Sequence, residues 1–240
     1  MSRVYLDYNA TAPLRQEARA AMEAAMDVVG NPSSVHGEGR AAKALVERAR
    51  AQVAAAAGCM PQEVVFTSGA TEAAGVLQHW PGPVEVQPTA HDAVFAHGRD
   101  ADTGTPILAM GLANSETGVL TDPPKPHSGA LLLDITQALG RVPFSFAWSE
   151  ADLAICSAHK LGGPKGVGAL IVKQGIDIKS LSLGGGQEMG RRSGTENIIG
   201  IAGFGAAVEA AQKDLNDGLW ARDEKLRYNL ETMLVNSSDG

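Results

Sequence analysis

Short apolar runs that end in glycine or polar residues constrain the fold of this chain most. Most of them show little alternation of apolar and polar residues, as is typical of strands covered on both faces. The predicted strands are residues 63–68, 84–86, 92–96, 106–113, 130–134, 152–158 and 167–172. Helical periodicity predicts helices over 15–29, 39–57, 197–214 and 219–236, and a turn into a helix over 69–77. This order predicts an α/β fold with a mostly parallel sheet.

Composition and charge limit the class of protein. The chain has 240 residues, of which 44% are hydrophobic, so it can bury a sizeable core. Its net charge of −7 argues against a nucleic acid or an anionic membrane as the main partner. No apolar run approaches the roughly 20 residues of a membrane span. Two cysteines, Cys59 and Cys156, are too few for a disulfide scaffold, so we expect a cytoplasmic protein.

The segment 66–72 (FTSGATE) is a candidate phosphate site. Its strand ends in small residues at the start of a helix, where free backbone N–H groups and the Thr71 hydroxyl suit a phosphate. An ordinary helix cap explains the same residues, since Ser and Thr are favoured there. The chain contains no GKS or GKT, which argues against a Walker-type nucleotide site.

Two charged residues directly follow predicted buried strands. Asp134 follows the run ALLL, and a buried acid is costly unless it is paired, although it could simply cap the next turn. Lys160 follows the strand DLAIC and precedes a glycine-rich loop. Desolvation can lower the pKa of such a lysine and make it a nucleophile toward carbonyls. In the alternative interpretation, Lys160 extends to the surface and His159 caps a turn.

A glycine triplet at 184–186 precedes Arg191, Arg192 and a Ser-Gly-Thr turn, which is a weaker candidate anion site. Flexible loops share this composition. The six histidines form no HExxH motif and no zinc spacing with cysteine, so we expect no metal site. The chain also has no G-x-S-x-G elbow, which argues against a serine hydrolase.

These candidates together match the needs of one cofactor. Pyridoxal 5′-phosphate (PLP) requires a lysine that holds its aldehyde, a carboxylate at its pyridine nitrogen and a cradle for its phosphate. Lys160, Asp134 and the turn at 69–71 supply these three parts from three predicted strand ends. The sequence therefore predicts a PLP site at one edge of the sheet.

Eight stretches of the chain resemble, in the same order, the cysteine desulfurases, which are the NifS/IscS-like branch of the class V aminotransferases among the fold-type I PLP enzymes. The stretches are VYLDYNATAPL, NPSSVHGEGR, VVFTSGATEA, AHDAV, NSETGV, LLLDITQALGRVPF, SAHKLGGPKGVGAL and GGGQEMGRRSGTEN. The resemblance implies a homodimer and a three-layer α/β/α domain with a mostly parallel sheet of the seven-stranded type. The domains implied are an N-terminal segment (1–14), a PLP-binding large domain (15–214) and the start of a truncated C-terminal domain (215–240).

The resemblance also implies roles for individual residues. Lys160 would form the Schiff base, Asp134 would partner the pyridinium nitrogen, and Gln137 would bind the phenolic oxygen. His91, in AHDAV, would stack on the ring and act in proton transfer. Ser115 stands where the family usually has an asparagine that contacts the phenolic oxygen. The other implied cofactor contacts are Asn114, then Ala70, Thr71, Ser157 and His159 at the phosphate, and Thr195 at the phosphate of the neighbouring subunit.

The implied reaction converts L-cysteine to L-alanine and passes sulfur to an acceptor or scaffold protein, as in iron–sulfur cluster assembly. Family members continue into a C-terminal domain with a nucleophilic cysteine and a carboxylate-binding arginine, which this sequence does not contain. Cys59 and Cys156 are interpreted as core residues. We therefore expect the chain to build the cofactor half of the enzyme and not to complete sulfur transfer alone.

Departures from the family leave three alternatives open. The segments 80–91 and 97–105 are short, which indicates a trimmed sheet edge. One alternative is another PLP-dependent aminotransferase or lyase activity on the same fold. The second is a non-catalytic fragment or scaffold. The third, a phosphate-binding module unrelated to PLP, requires the SAHK and DITQ matches to be accidental.

Overall fold

A computed structural model describes residues 3–125 and 129–238 of the chain. In this part the chain forms an α/β fold with six strands. The strands are β1 (Val64–Thr67), β2 (Val84–Val86), β3 (Ile107–Gly111), β4 (Ala130–Asp134), β5 (Leu153–Ser157) and β6 (Gly168–Val172). The helices are α1 (Gln16–Met26), α2 (Gly37–Ala57), α3 (Ala70–Ala74), α4 (Asp92–Phe95), α5 (Ile198–Asn216) and α6 (Leu219–Ser238). Short 3₁₀ turns lie at Pro61–Glu63, Gly75–His79, Phe146–Trp148, Ala158–Lys160 and Glu188–Gly190.

The strands form one sheet in the order β1-β6-β5-β4-β3-β2. Strands β2 to β5 are parallel to one another, whereas β6 is antiparallel to both β1 and β5. The predicted α/β fold with a mostly parallel sheet is confirmed. The resemblance implied seven strands, and the described residues contain six, with the three-residue strand β2 at the edge next to the shortened segments.

The segment 92–96, predicted as a strand, is instead the short helix α4, so this prediction is wrong. The His91 side chain begins the helix, because its Nδ1 accepts a hydrogen bond from the Ala93 N–H at 3.1 Å. The Phe95 N–H then donates to the His91 carbonyl at 2.9 Å. A four-residue apolar run fits both the helical and the strand periodicity, and the His91 cap selects the helix.

Helices cover both faces of the sheet. Alternate residues of β4 point to opposite faces, so Leu131 and Leu133 pack in the same core as side chains of α2 and α5. Leu132 packs on the other face in a core that includes residues of α3. By the same alternation, Asp134 lies on the α3 face of the sheet.

The ends of the described chain pack less tightly than its centre. Helix α6 exposes large apolar side chains, among them Leu226, Met233 and Leu234, and Leu6 near the N-terminus is 83% exposed. No helix in residues 3–125 and 129–238 is both long and apolar enough to cross a membrane. The domain bounds stay a prediction, and residues 1–2 and 239–240 of the outer two segments lie outside the described residues.

Candidate active site

A cavity of about 460 Å³ lies at the carboxyl ends of the parallel strands. Strands β3, β4 and β5 end at it with Gly111, Asp134 and Ser157, and the segment after β2 contributes His91. A common edge is where α/β folds bring together residues that are distant along the chain. Ten of the eleven predicted site residues line this cavity: Ala70, Thr71, His91, Asn114, Ser115, Asp134, Gln137, Ser157, His159 and Lys160.

Asp134 provides a partly buried carboxyl group at the end of β4. Its Oδ1 accepts a hydrogen bond from the Thr136 N–H at 2.9 Å. Burial raises the pKa of Asp134, while the hydrogen bonding to Thr136 and the charges of His91 and Lys160 favour its ionised form. The Thr136 hydroxyl, also in the cavity wall, is buried without a hydrogen-bond partner among the described residues. Sequence reasoning missed Thr136, although it belongs to the DITQ motif.

Lys160 enters the cavity from the 3₁₀ turn that directly follows β5. Its Nζ donates a hydrogen bond to the Asn9 carbonyl oxygen at 2.6 Å. Burial and the positive charge of Arg141 lower the pKa of the Lys160 amine, while nearby carboxylates, with Asp134 the strongest, oppose this effect. A larger fraction of the amine is therefore neutral and nucleophilic than in an ordinary lysine.

The turn between β1 and α3 forms a candidate anion cradle. The Ser157 Oγ accepts a hydrogen bond from the Ala70 N–H at 2.7 Å, which leaves the hydroxyl proton free to be donated. Thr71 presents a backbone N–H and a hydroxyl that have no hydrogen-bond partner within the described parts of the chain. A Cβ atom on Gly168 would lie 2.7 Å from the Gly69 Cα, so glycine is needed for β6 to approach this turn.

An ion pair holds the same turn from the outside. Glu72 accepts a hydrogen bond from the Ser68 N–H at 2.6 Å and pairs with Arg192 at 2.9 Å. Burial tends to raise the pKa of Glu72, but the hydrogen bonds from Arg192 and Ser68 outweigh it and keep that pKa below its ordinary value. Arg192, which belongs to the weaker candidate anion site at 184–195, thus forms an ion pair with a carboxylate of this chain.

Two further residues present polar atoms to the cavity in fixed orientations. Because the His91 Nδ1 accepts the Ala93 N–H, the proton of the neutral imidazole lies on Nε2. Gln137 donates from Nε2 to the Asn9 carbonyl at 3.0 Å, and its Oε1 accepts a short hydrogen bond from Arg141. Sequence reasoning missed Asn9 and Arg141, because no local pattern shows that these two residues meet.

Asn114 and Ser115 are in the cavity wall but direct their polar groups elsewhere. The Asn114 Oδ1 accepts hydrogen bonds from the backbone N–H groups of Glu116 and Thr117, each at 2.9 Å, and its Nδ2 donates to the Thr89 carbonyl. The Ser115 hydroxyl donates to Glu116 at 3.1 Å. Both residues shape the loop, and their contact with a cofactor stays a prediction.

His159 and Thr195 differ in position. The His159 Nδ1 lies 3.1 Å from the Thr11 hydroxyl. Burial and the charges of Lys160 and Lys165 lower the pKa of the imidazole. Thr195 is exposed and is the one predicted site residue outside the cavity. Its predicted role at the site of a neighbouring subunit stays a prediction.

Both cysteines lie away from this cavity. Cys156 precedes Ser157 on β5 and therefore points to the opposite face, where it is buried in the core with Phe66. Cys59 is partly buried against the same core. Burial raises the pKa of each thiol to about 12. The described residues contain no group of three or more side chains suited to hold a metal ion, and His127 lies outside them.

Comparison with known proteins identifies the family of this chain. The model of the class-V aminotransferase family matches residues 4–91 and 99–239. A cysteine desulfurase from Frankia sp. is 38% identical over an alignment of 266 positions, gaps included, that covers 89% of this chain and 64% of that protein. The chain thus spans just under two thirds of the length of that relative.

Solved structures with a similar fold include NifS-like proteins. A NifS-like protein from Rickettsia africae superposes with a TM-score of 0.91 at 31% identity, covering 97% of this chain and 75% of that one. A structure of SspA in complex with cysteine has a TM-score of 0.78 at 27% identity, covering 86% of this chain and 72% of its own.

Proposed function

This chain belongs to the class-V aminotransferase family, and we propose that its cavity binds PLP for cysteine desulfurase chemistry. The proposed reaction converts L-cysteine to L-alanine and passes the sulfur to an acceptor or scaffold protein in the cytoplasm, for iron–sulfur cluster assembly. One observation carries the proposal: the Lys160 amine, the Asp134 carboxyl and the Ser157–Ala70 contact meet in one cavity. The cysteine desulfurase relative and the cysteine held by SspA support the choice of substrate.

The residues present fit the cofactor. The cavity volume of about 460 Å³ lies in the range of roughly 300–1,000 Å³ that is usual for small-molecule sites. The buried Thr136 hydroxyl without a partner and the carboxyl of Asp134 are polar groups that a ligand in this cavity can satisfy. A protonated ring nitrogen beside Asp134 would favour the carboxylate and offset the burial that raises its pKa.

Each side chain has a distinct task in this proposal. Bound PLP withdraws electrons from the α-carbon of an attached amino acid. Lys160 would hold the cofactor aldehyde through its partly neutral amine, and the same amine would be placed to move a proton at the substrate α-carbon. Asp134 would keep the ring nitrogen of the cofactor protonated, and the Nε2 of His91 would be able to exchange a proton at the cavity wall. Ser157 and Thr71 would hold the phosphate, and the 3₁₀ turn fixes the lysine backbone.

Sulfur transfer needs a thiolate that the cavity itself does not supply. Cys156 points to the opposite face of the sheet, and the pKa of about 12 for Cys156 and Cys59 leaves either thiol almost fully protonated at neutral pH. The proposal therefore takes the thiolate from outside this sequence, since Cys59 and Cys156 are its only two cysteines. The same observation favours a second candidate, a PLP-dependent aminotransferase or lyase reaction, which requires no enzyme thiol.

The proposal includes a homodimer. Thr195 is exposed on a loop outside the cavity of its own chain, and Arg192 in that loop is tied to Glu72. An exposed threonine on a loop anchored by an ion pair supports a contact between Thr195 and a second copy of the chain. Analytical ultracentrifugation tests this part, and a strictly monomeric chain at micromolar concentration with PLP bound would argue against it.

Reconstitution with PLP tests the cofactor assignment. The chain should acquire a yellow absorbance that borohydride abolishes, and mass spectrometry should then find the reduced cofactor on Lys160. Lys160→Ala should stay colourless, whereas Lys165→Ala, an exposed lysine of the same loop, should behave as the parent does. A colourless parent chain that remains folded would exclude the PLP site and favour the scaffold interpretation.

Product analysis separates the two candidate activities. With L-cysteine and an added thiol, the desulfurase reaction releases alanine and sulfide in equal amounts. An aminotransferase yields a 2-oxo acid and leaves the sulfur on the substrate carbon. Keto-acid formation without alanine would replace the first candidate by the second.

A further inference from the structure

Arg141 connects two parts of the candidate site, the turn that carries Lys160 and the turn that carries Gln137. Its guanidinium donates to the backbone carbonyl of Lys160 at 2.6 Å and, through a short hydrogen bond, to the Gln137 Oε1. Gln137 and the Lys160 amine in turn both donate to the carbonyl oxygen of Asn9, at 3.0 and 2.6 Å. One arginine therefore links the turn after β5, the turn after β4 and the N-terminal segment.

The backbone around Arg141 is itself held in place. Gly140 adopts a φ of 72°, and a Cβ there would lie 2.7 Å from the Cβ of Ala211 on α5. The Gly140 carbonyl accepts a hydrogen bond from the Trp220 Nε1 at 3.0 Å. The backbone that carries the Arg141 side chain is therefore fixed. The planar guanidinium can then set the positions of its two acceptors, the Lys160 carbonyl and the Gln137 Oε1.

We propose that Arg141 is a positioning residue, which orients the Lys160 turn and the Gln137 amide toward a carbonyl ligand and adds a fixed positive charge beside the lysine. This inference rests on the proposed function, because it assigns Arg141 to the site that Lys160 serves. Sequence reasoning did not identify this residue.

Several charges face the Lys160 amine. Arg141 and burial favour its neutral form, and the carboxylates of Asp134, Asp7 and Glu116 favour its charged form. The charge of Lys160 in turn helps to lower the pKa of His159, the residue that precedes it. Removing the Arg141 charge should therefore raise the pKa of the lysine, since burial alone would then oppose the effect of the carboxylates.

The first experiment measures lysine reactivity without PLP. The cofactor-free chain is treated with formaldehyde and cyanoborohydride between pH 6 and 10, and methylation of Lys160 is followed by peptide mass spectrometry. We expect Arg141→Gln to raise the midpoint of the pH profile and to slow methylation about threefold below it, because each pKa unit changes the neutral fraction tenfold. Arg141→Lys keeps the charge and should keep the parental midpoint.

The second experiment measures the orienting role. We expect Arg141→Lys to weaken PLP binding several-fold, because an ammonium group cannot reach both acceptors with the geometry of a guanidinium. Arg15→Gln is the matched control: Arg15 donates to the Leu161 carbonyl at 2.9 Å and pairs with Asp214, but forms no hydrogen bond with Lys160 or Gln137. This variant should leave the Lys160 pH profile unchanged.

The outcomes separate this inference from the proposed function. If the parent chain forms no borohydride-sensitive yellow adduct, the proposed function fails, while the formaldehyde profile still tests the charge effect of Arg141. If the parent is yellow but folded Arg141→Gln keeps its midpoint, the inference is wrong. Should Arg141→Gln fail to fold by circular dichroism, Arg141→Lys decides, and parental PLP affinity in that variant overturns the orienting role.

Discussion

The buried ion pair between Arg50 and Glu188 should dominate the stability of the loop that carries Thr195. The Glu188 carboxylate accepts two hydrogen bonds from Arg50, at 2.7 and 2.9 Å, and one from the Phe66 N–H at 2.8 Å. The side chains of Arg50 and Glu188 are only 7% and 2% exposed. Arg50 also donates to the Val64 carbonyl and lies 4.9 Å from the centre of the Phe66 ring.

Glu188→Gln keeps the shape of the side chain and removes its charge. Leaving one member of a buried pair without its partner typically costs about 3–5 kcal/mol. With a urea m-value of roughly 3 kcal/mol/M for a chain of this size, the midpoint of unfolding should fall by about 1–1.7 M. Such a loss is a large part of the roughly 5–15 kcal/mol that stabilises a native protein.

Urea titrations followed by circular dichroism measure this effect. Glu47→Gln is the matched control, since Glu47 contacts the same arginine at 3.3 Å but is 51% exposed, and its loss should cost under about 1 kcal/mol. The double variant Arg50→Met/Glu188→Gln should recover part of the loss, because the unpaired charge is gone. If Glu188→Gln shifts the midpoint no more than Glu47→Gln does, the buried pair does not stabilise the loop.

Three other predictions concern the site and its surroundings. Gly168→Val should cost several kcal/mol and abolish PLP binding, because its Cβ would lie 2.4 Å from the Cys156 carbonyl oxygen, whereas Gly37→Ala, with open space around it, should be close to neutral in thermal melts. Iodoacetamide at pH 8 should leave Cys59 and Cys156 of the native chain unmodified, because a pKa of about 12 leaves roughly one thiol in ten thousand ionised. In urea both cysteines should be labelled. Rapid labelling of the native chain would contradict the burial of the two thiols. Asp134→Asn should raise the melting temperature of the cofactor-free chain at pH 7 while abolishing the yellow adduct. Burial raises the pKa of Asp134, so the charged carboxylate lowers the stability of the folded chain as pH rises through the folded-state pKa. The stability gained by the substitution should vanish below the unfolded-state pKa, where the carboxyl is protonated in both the folded and the unfolded state. A lower melting temperature at pH 7 would contradict this sign.

The regular elements were mostly predictable from local pattern. Six apolar runs became strands, and the four long helices lie where periodicity placed them, with α1 ending at Met26 rather than at residue 29. The exception is 92–96, where four apolar or small residues fit either period and the His91 cap selects a helix. Burial on both faces explains why these strands lack alternation.

The candidate site was predictable where its residues end a strand. Asp134 and Ser157 close β4 and β5, and parallel strands bring such ends to one edge, so their convergence in the cavity follows from local sequence and one topological rule. The cysteines were also predictable as core residues. Family motifs added His91 and Gln137, which no strand end indicates.

The sequence by itself determined the kinds of chemical group at the cavity, since an amine, a carboxyl and a hydroxyl follow from residue type and from position at a strand end. Only the tertiary structure decided which backbone carbonyl the Lys160 amine meets and which charge lies beside it. Those partners, Asn9 and Arg141, are 151 and 19 residues away along the chain. Such contacts depend on sheet order and on how the N-terminal segment packs, and local periodicity carries no information about either.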